Sequence, residues 1–154
     1  MPRNAREIDL DPRTYVGLSF PLRADTNNSF AMTKNSIQQS RHNLRNLLLT
    51  YPGERVGNLE FGCRLREVCF EQQDDELPIK VEEEVKDSVS KWLPYINIQE
   101  VNTLTQEGDT NKIFVEIKYS TTLDPLVNQS LTLDATDGTE IGGDDSSEGR
   151  PGGY

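Results

Sequence analysis

Leu44-Arg45-Asn46-Leu47-Leu48-Leu49-Thr50-Tyr51-Pro52-Gly53-Glu54-Arg55-Val56, followed by Phe61-Gly62-Cys63-Arg64-Leu65 and Val68-Cys69-Phe70-Glu71, is the run that decides the fold. Leucines at helical spacing end in Pro52-Gly53, which stops a helix. A loop rich in turn residues, Val56 to Gly62, leads into a second helix over Cys63 to Gln72, with Leu65, Val68 and Cys69 on one buried face at i, i+3, i+4. Upstream, the first helix is predicted from Thr33 as N-cap to Tyr51, with Ile37, Leu44, Leu48 and Tyr51 along a stripe that polar Ser40 and Arg41 interrupt.

Downstream, a third helix opens at Pro78, a favoured first position, and runs to Trp92 with Val81, Val85 and Val89 in phase, leaving Glu82, Glu83 and Glu84 to solvent. After Pro94 the period becomes two. Ile113, Val115, Ile117 and Tyr119 alternate with polar neighbours, and Ile96 to Thr105 pairs with that strand through a reversal at Glu107-Gly108-Asp109. Asp124-Pro125 reads as a turn before a third strand, Leu126 to Leu133, with Val127, Leu131 and Leu133 on one side. Near the start, Val16, Leu18, Phe20 and Leu22 alternate, but Pro21 restricts them to an edge or an extended arm.

Helices first and strands second predict an α+β fold of about three helices packed on a small antiparallel sheet. Its organisation is an extended N-terminal arm over 1–32, a core domain over 33–133 and an acidic Gly/Asp-rich tail over 134–154. Six acids and one base leave that tail at −5, half of the chain's −10, and its composition cannot fold alone.

With 154 residues, 34% of them apolar, and a mean hydropathy of −0.66, the core is thin and suited to completing its burial against partners. The net charge argues against nucleic-acid binding, which needs clustered Lys and Arg. No run approaches the roughly 18 to 20 apolar residues that cross a bilayer, and Met1-Pro2-Arg3-Asn4 opens no apolar signal, so the expected location is cytoplasm. Cys63 and Cys69, six residues apart, would be separated by roughly 9 Å of helical rise, too far for a disulfide, and are expected to be free thiols, Cys69 buried. His42, the single histidine, reads as a solvated side chain, and no metal, cofactor or triad can be built around it.

The ordered set Gly53-Glu54-Arg55, Phe61-Gly62, Leu65 and Phe70-Glu71 resembles the signature of the baseplate wedge and tail-sheath initiator family of contractile phage tails, the gpW and gene-25-like family, whose type VI secretion counterpart is TssE. The resemblance covers roughly Thr33 to Leu133. It implies a structural, non-enzymatic wedge subunit in the virion tail baseplate, assembled in the host cytoplasm. Its implied partners are baseplate wedge proteins, tail-sheath subunits and tail tube or hub proteins, with several copies around the tail axis and neither nucleic acid nor membrane. It also implies a sheet edge to which the first sheath ring adds strands, placed on Ile113, Val115, Ile117 and Tyr119 or on Val127, Gln129 and Leu131.

Docking to the wedge core is expected at Glu54, Arg55, Phe61, Leu93, Pro94 and Tyr95. Many relatives carry Glu-Pro-Arg after the third helix; Leu93-Pro94-Tyr95 stands in its place, so attachment there becomes apolar and aromatic or shifts to Glu54 and Arg55. Glu54-Arg55 reads equally as a solvated turn with a local salt bridge, and Phe61 as a cap on the core or a plug for a neighbour. Trp92 reads as core. Relatives have carried a lysozyme label, and a hydrolase would need two carboxylates about 5 to 10 Å apart; Glu54, Glu60 and Glu71 are the acids near the signature, each with a simpler structural role. An adaptor of an unrelated complex, binding through the acidic tail, is the remaining alternative.

Overall fold

The computed structural model describes residues 9–11, 13–25, 29–70, 75–106 and 109–136. In chain order it contains β1 (Gly17–Leu18), β2 (Met32–Thr33), α1 (Ser36–Leu49), α2 (Leu65–Phe70), α3 (Leu77–Trp92), β3 (Ile96–Gln106), β4 (Asp109–Thr121) and β5 (Asp124–Asp134). The β1–β2 pair forms an antiparallel ribbon, and β3-β4-β5 a three-stranded antiparallel sheet with β4 in the centre. The expected α+β architecture is therefore present.

Local chemistry sets the helix boundaries. Asn35, not Thr33, caps α1: its Oδ1 accepts the Ile37 N–H at 2.7 Å, while Asp9 Oδ1 accepts the Ser36 N–H and hydroxyl at 2.9 and 2.7 Å. Thr33 lies in β2 and donates its hydroxyl to the Gly17 carbonyl. The helix stops at Leu49 because Tyr51 precedes a proline and is biased to extended backbone. Ser40 does not interrupt the stripe. It is buried with Leu44, Leu47 and Leu48, and its hydroxyl is satisfied by the Ser36 carbonyl at 2.7 Å. Helix α2 is shorter than expected, since Cys63 and Arg64 belong to the preceding loop and Gln72 lies outside the described residues.

One core joins these elements. Val81, Val85 and Val89 of α3 and Leu44, Leu47 and Leu48 of α1 cluster with Val115, Ile117, Tyr119, Leu131 and Leu133 from one face of the sheet. In β3 the inward parity changes midway. Ile98 pairs with Tyr119 and Val101 with Ile117, so Gln99 is an extra residue, a bulge that keeps both apolar side chains on the core face. Without it Val101 would face solvent.

The β4–β5 reversal falls at Thr122-Leu123, two residues before the expected Asp124-Pro125. Thr121 pairs with Asp124 and Tyr119 with Gln129, so two steps along β4 match five along β5, and the surplus bulges outward at Pro125 to Asn128. Leu126, at its crest, is 92% exposed. The Glu107-Gly108 part of the other reversal lies outside the described residues. The sheet continues past residue 133: the Ala135 N–H donates to the Ile113 carbonyl at 2.9 Å, and Ala135 is buried.

In the described part of the arm, β1 pairs with β2 as an antiparallel ribbon, and Phe20 reaches α1. His42 is accordingly half-buried rather than solvated: its Nδ1 lies 3.2 Å from the Phe20 nitrogen and 2.8 Å from the Phe20 oxygen, and the Arg45 guanidinium sits over the Phe20 ring. Residues 1–8 of the arm, and the tail from 137 onward, lie outside the described residues.

Both cysteines are free, as expected, and Cys63 is buried along with Cys69 although it lies outside the helix; burial pushes the Cys63 thiol up to about 12 and the Cys69 thiol up to about 11. The unfolded chain releases these protons near 9.0, so the native state holds more protons between that pH and about 11 to 12, and stability falls as pH rises through this window. We expect no reaction with a thiol-specific disulfide reagent at pH 8 until the protein unfolds, when both thiols titrate together. Rapid labelling of the folded protein would contradict the burial.

Candidate functional site

Thr50 to Arg64 forms a closed loop between α1 and α2. Its two ends meet where the Cys63 N–H donates to the Thr50 carbonyl at 2.9 Å. Inside it, the Gly53 N–H donates to the Leu59 carbonyl at 2.7 Å, the Glu54 N–H to the Tyr51 carbonyl at 3.1 Å, and Glu54 Oε2 accepts the Tyr51 N–H at 3.0 Å. These bonds replace the helical partners lost when α1 ends. Gly62 explains the Phe-Gly pair of the signature. Its φ is +137°, and a Cβ there would lie 2.4 Å from the Thr50 oxygen and 2.9 Å from the Pro52 nitrogen. Only glycine allows that approach.

The six expected docking residues divide into supports and surface. Phe61 and Leu93 are both buried, 8% exposed, and belong to the core. Phe61 packs edge-on against Trp92 at 5.4 Å, capping the core, with the Arg55 guanidinium 4.5 Å above its ring. Glu54 and Arg55 therefore do not form the local salt bridge considered above; one holds the loop backbone and the other covers Phe61. Tyr95 is half-buried, its hydroxyl accepting from Asn43 Nδ2 of α1 at 2.8 Å and its carbonyl from the Thr122 N–H at 2.9 Å. Pro94 is exposed. Phe61–Trp92 and the Glu60–Lys91 pair at 3.3 Å place the loop beside the end of α3, so the two sequence segments belong to one region. Val56, 96% exposed, and Leu59, 65% exposed, lie on the loop's outer side; sequence reading passed over them because no period marks an apolar residue in a turn-rich loop.

The sheet edges differ from the expectation. Ile113, Val115, Ile117 and Tyr119 lie on the central strand, paired on both sides, so they offer no edge. Their alternation reported burial on one face, which central and edge strands share. Val127 sits in the β5 bulge, and Leu131 points into the core. Gln129 pairs with Tyr119 and accepts its hydroxyl at 2.8 Å.

The bond from Ala135 to Ile113 fixes the phase of the ladder. Residues 129, 131 and 133 turn their backbone groups toward β4, whereas Ser130 and Thr132 turn theirs outward. Among the described residues, no strand pairs with that side of β5. The opposite edge, β3, carries the Gln99 bulge, and Gln99 is tied across the outer face to Asn128 at 2.9 Å and Ser120 at 3.3 Å.

Of the acids weighed for hydrolysis, Glu54 is bonded to backbone, Glu60 is paired with Lys91, and Glu71 lies outside the described residues. Among the described residues, no group of three His, Cys, Asp or Glu side chains is placed to hold a metal ion.

A family model described as baseplate wedge protein gp25 matches residues 34–126. No curated protein matches the chain. Solved structures share its fold, three of them as follows. One is a Geobacter sulfurreducens protein provisionally named a tail lysozyme (23% identity, TM-score 0.58, 65% of this chain and 89% of that one). Another is a chain of the anti-feeding prophage baseplate (21%, 0.61, 68% and 82%). The third belongs to the pyocin R2 baseplate after contraction (20%, 0.51, 65% and 97%).

Two of the three loop glycines, Gly53 and Gly62, should respond differently to alanine. Gly53, at φ +103° with nothing within 4 Å of its would-be Cβ, should cost about 1–2 kcal/mol in backbone strain alone. Gly62→Ala adds a clash with the oxygen that closes the loop and should cost about 3 kcal/mol or more, lowering Tm by at least about 6 °C. Thermal unfolding of the two variants measures this; equal losses would mean the close approach is not maintained.

Proposed function

The chain belongs to the family of baseplate wedge protein gp25, and from that premise we propose that this structural baseplate component attaches to the wedge core and starts sheath polymerisation through the outer edge of β5. The observation that carries the reading is the outward-facing backbone at Ser130 and Thr132, on a regular stretch, Gln129 to Asp134, without a neighbouring strand among the described residues. An incoming sheath strand would complete those donors and acceptors by antiparallel or parallel addition. The bulged β3 edge is the poorer template, because a displaced residue interrupts the hydrogen-bond spacing.

Wedge attachment falls on the surface shared by the loop and the end of α3. Glu54, Arg55, Pro94 and Tyr95 are its accessible members, and Phe61 and Leu93 fix it from below. Membership of the family also supports a place in the tail baseplate of a phage or phage-like particle, with several copies assembled beside other baseplate proteins. The wedge proteins, sheath subunits and tube or hub proteins are the proposed neighbours. A structural reading needs no reactive centre. The tail-lysozyme name belongs to a relative that shares the fold at 23% identity, and likeness of fold does not carry catalysis.

Proline separates the edge from the ladder. Ser130→Pro or Thr132→Pro removes an outward donor and should leave a folded protein that joins the baseplate without nucleating extended sheath. Gln129→Pro strikes the bonds to β4 and should destabilise the fold itself. Electron microscopy of tails assembled with each variant reads the outcome. Full-length sheath on Ser130→Pro and Thr132→Pro baseplates would rule out initiation at this edge.

A further inference from the structure

Beside the loop lies an open cleft of about 440 Å³ whose two sides are the loop and the 84–92 stretch of α3. Pro52, Leu59 and Trp92 supply its apolar lining. Leu59 is held there by the Gly53–Leu59 backbone bond, so a largely exposed leucine is presented on a fixed framework. The charged groups are unevenly committed. Lys91 is paired with Glu60 and lies over the Trp92 ring at 4.9 Å, and Glu84 Oε1 accepts the Arg64 N–H at 2.8 Å and the Ser88 hydroxyl at 3.4 Å. Asp87 is exposed and has no hydrogen-bond or ion-pair partner among the described residues. Three carboxylates face two cations across the cleft, in a chain whose net charge is −10.

We propose that this cleft seats a segment of another baseplate protein in which a large apolar side chain lies within four residues of a lysine or arginine, the apolar group entering between Leu59 and Trp92 and the cation reaching Asp87. The proposal deepens the wedge-docking reading and rests on it. An apolar anchor gains most in a rigid recess, because ordering costs have already been met by folding. The neighbouring carboxylate selects for a cation and against acidic segments. A partner bound in this way contacts Leu59 and Asp87 while leaving the β5 edge to the sheath.

The test uses the full chain in assembled particles. A benzophenone amino acid placed at Leu59 is irradiated in purified baseplates, and the crosslinked peptide is identified by mass spectrometry. The expected product is a peptide of another baseplate protein with an apolar residue and a lysine or arginine in that spacing. Asp87→Lys, at an exposed position with no internal partner, should lower crosslink yield about fivefold while leaving Tm unchanged. Crosslinking to an acidic segment, incorporation without any crosslink, or a yield indifferent to Asp87→Lys would overturn the cleft proposal and leave wedge attachment standing. Failure of the unmodified protein to enter baseplates would remove the docking reading itself.

Discussion

The contact between the Thr50 carbonyl and the Cys63 N–H, with Gly62 pressed against the same oxygen, sets the geometry of everything around it. It converts the end of α1 into the start of α2 within a loop whose ends touch, and so fixes Phe61 over Trp92 and the loop against α3. Cys63 is buried for the same reason: its backbone closes the loop, and its side chain lies 3.9 Å from the Glu84 carbonyl in α3. A glycine with positive φ is thus the point at which a local turn becomes a tertiary constraint. The surface formed around the loop inherits its rigidity from one backbone bond and one missing Cβ.

Much of this was legible in the sequence. Period 3.6 in Val81-Val85-Val89 and period 2 in Ile113 to Tyr119 are direct records of one-sided burial, and both elements occur where expected. The helix ends were less legible, because Thr33 and Asn35 are both competent caps and only the pairing of Thr33 with Gly17 decides between them. Ser40 looked like a flaw in the stripe because polarity was read without its local acceptor, the Ser36 carbonyl.

The site was less readable than the fold. Alternation along β4 says which side chains face inward but carries no information about how many neighbours a strand has, so it does not distinguish this central strand from an edge. Which β5 residues turn their backbone outward depends on register, and register depends on the three-residue surplus at Pro125 to Asn128. Composition does not encode such a surplus. Phe61 and Leu93 share a related ambiguity: an apolar residue near a motif serves either the partner or the core, and burial alone separates the two.

The Gln99 bulge also bears on valence. A three-stranded sheet with two regular edges is bifunctional, and bifunctional units join copies of themselves into open-ended fibres. Because β3 is kinked and pinned across its outer face to Asn128 and Ser120, its spacing no longer matches an unbroken strand. Among the described residues one regular sheet edge is left. In the language of polymer chemistry its sheet is monofunctional: a single matching edge lets two copies pair at most once, so strand addition between copies ends there and does not propagate.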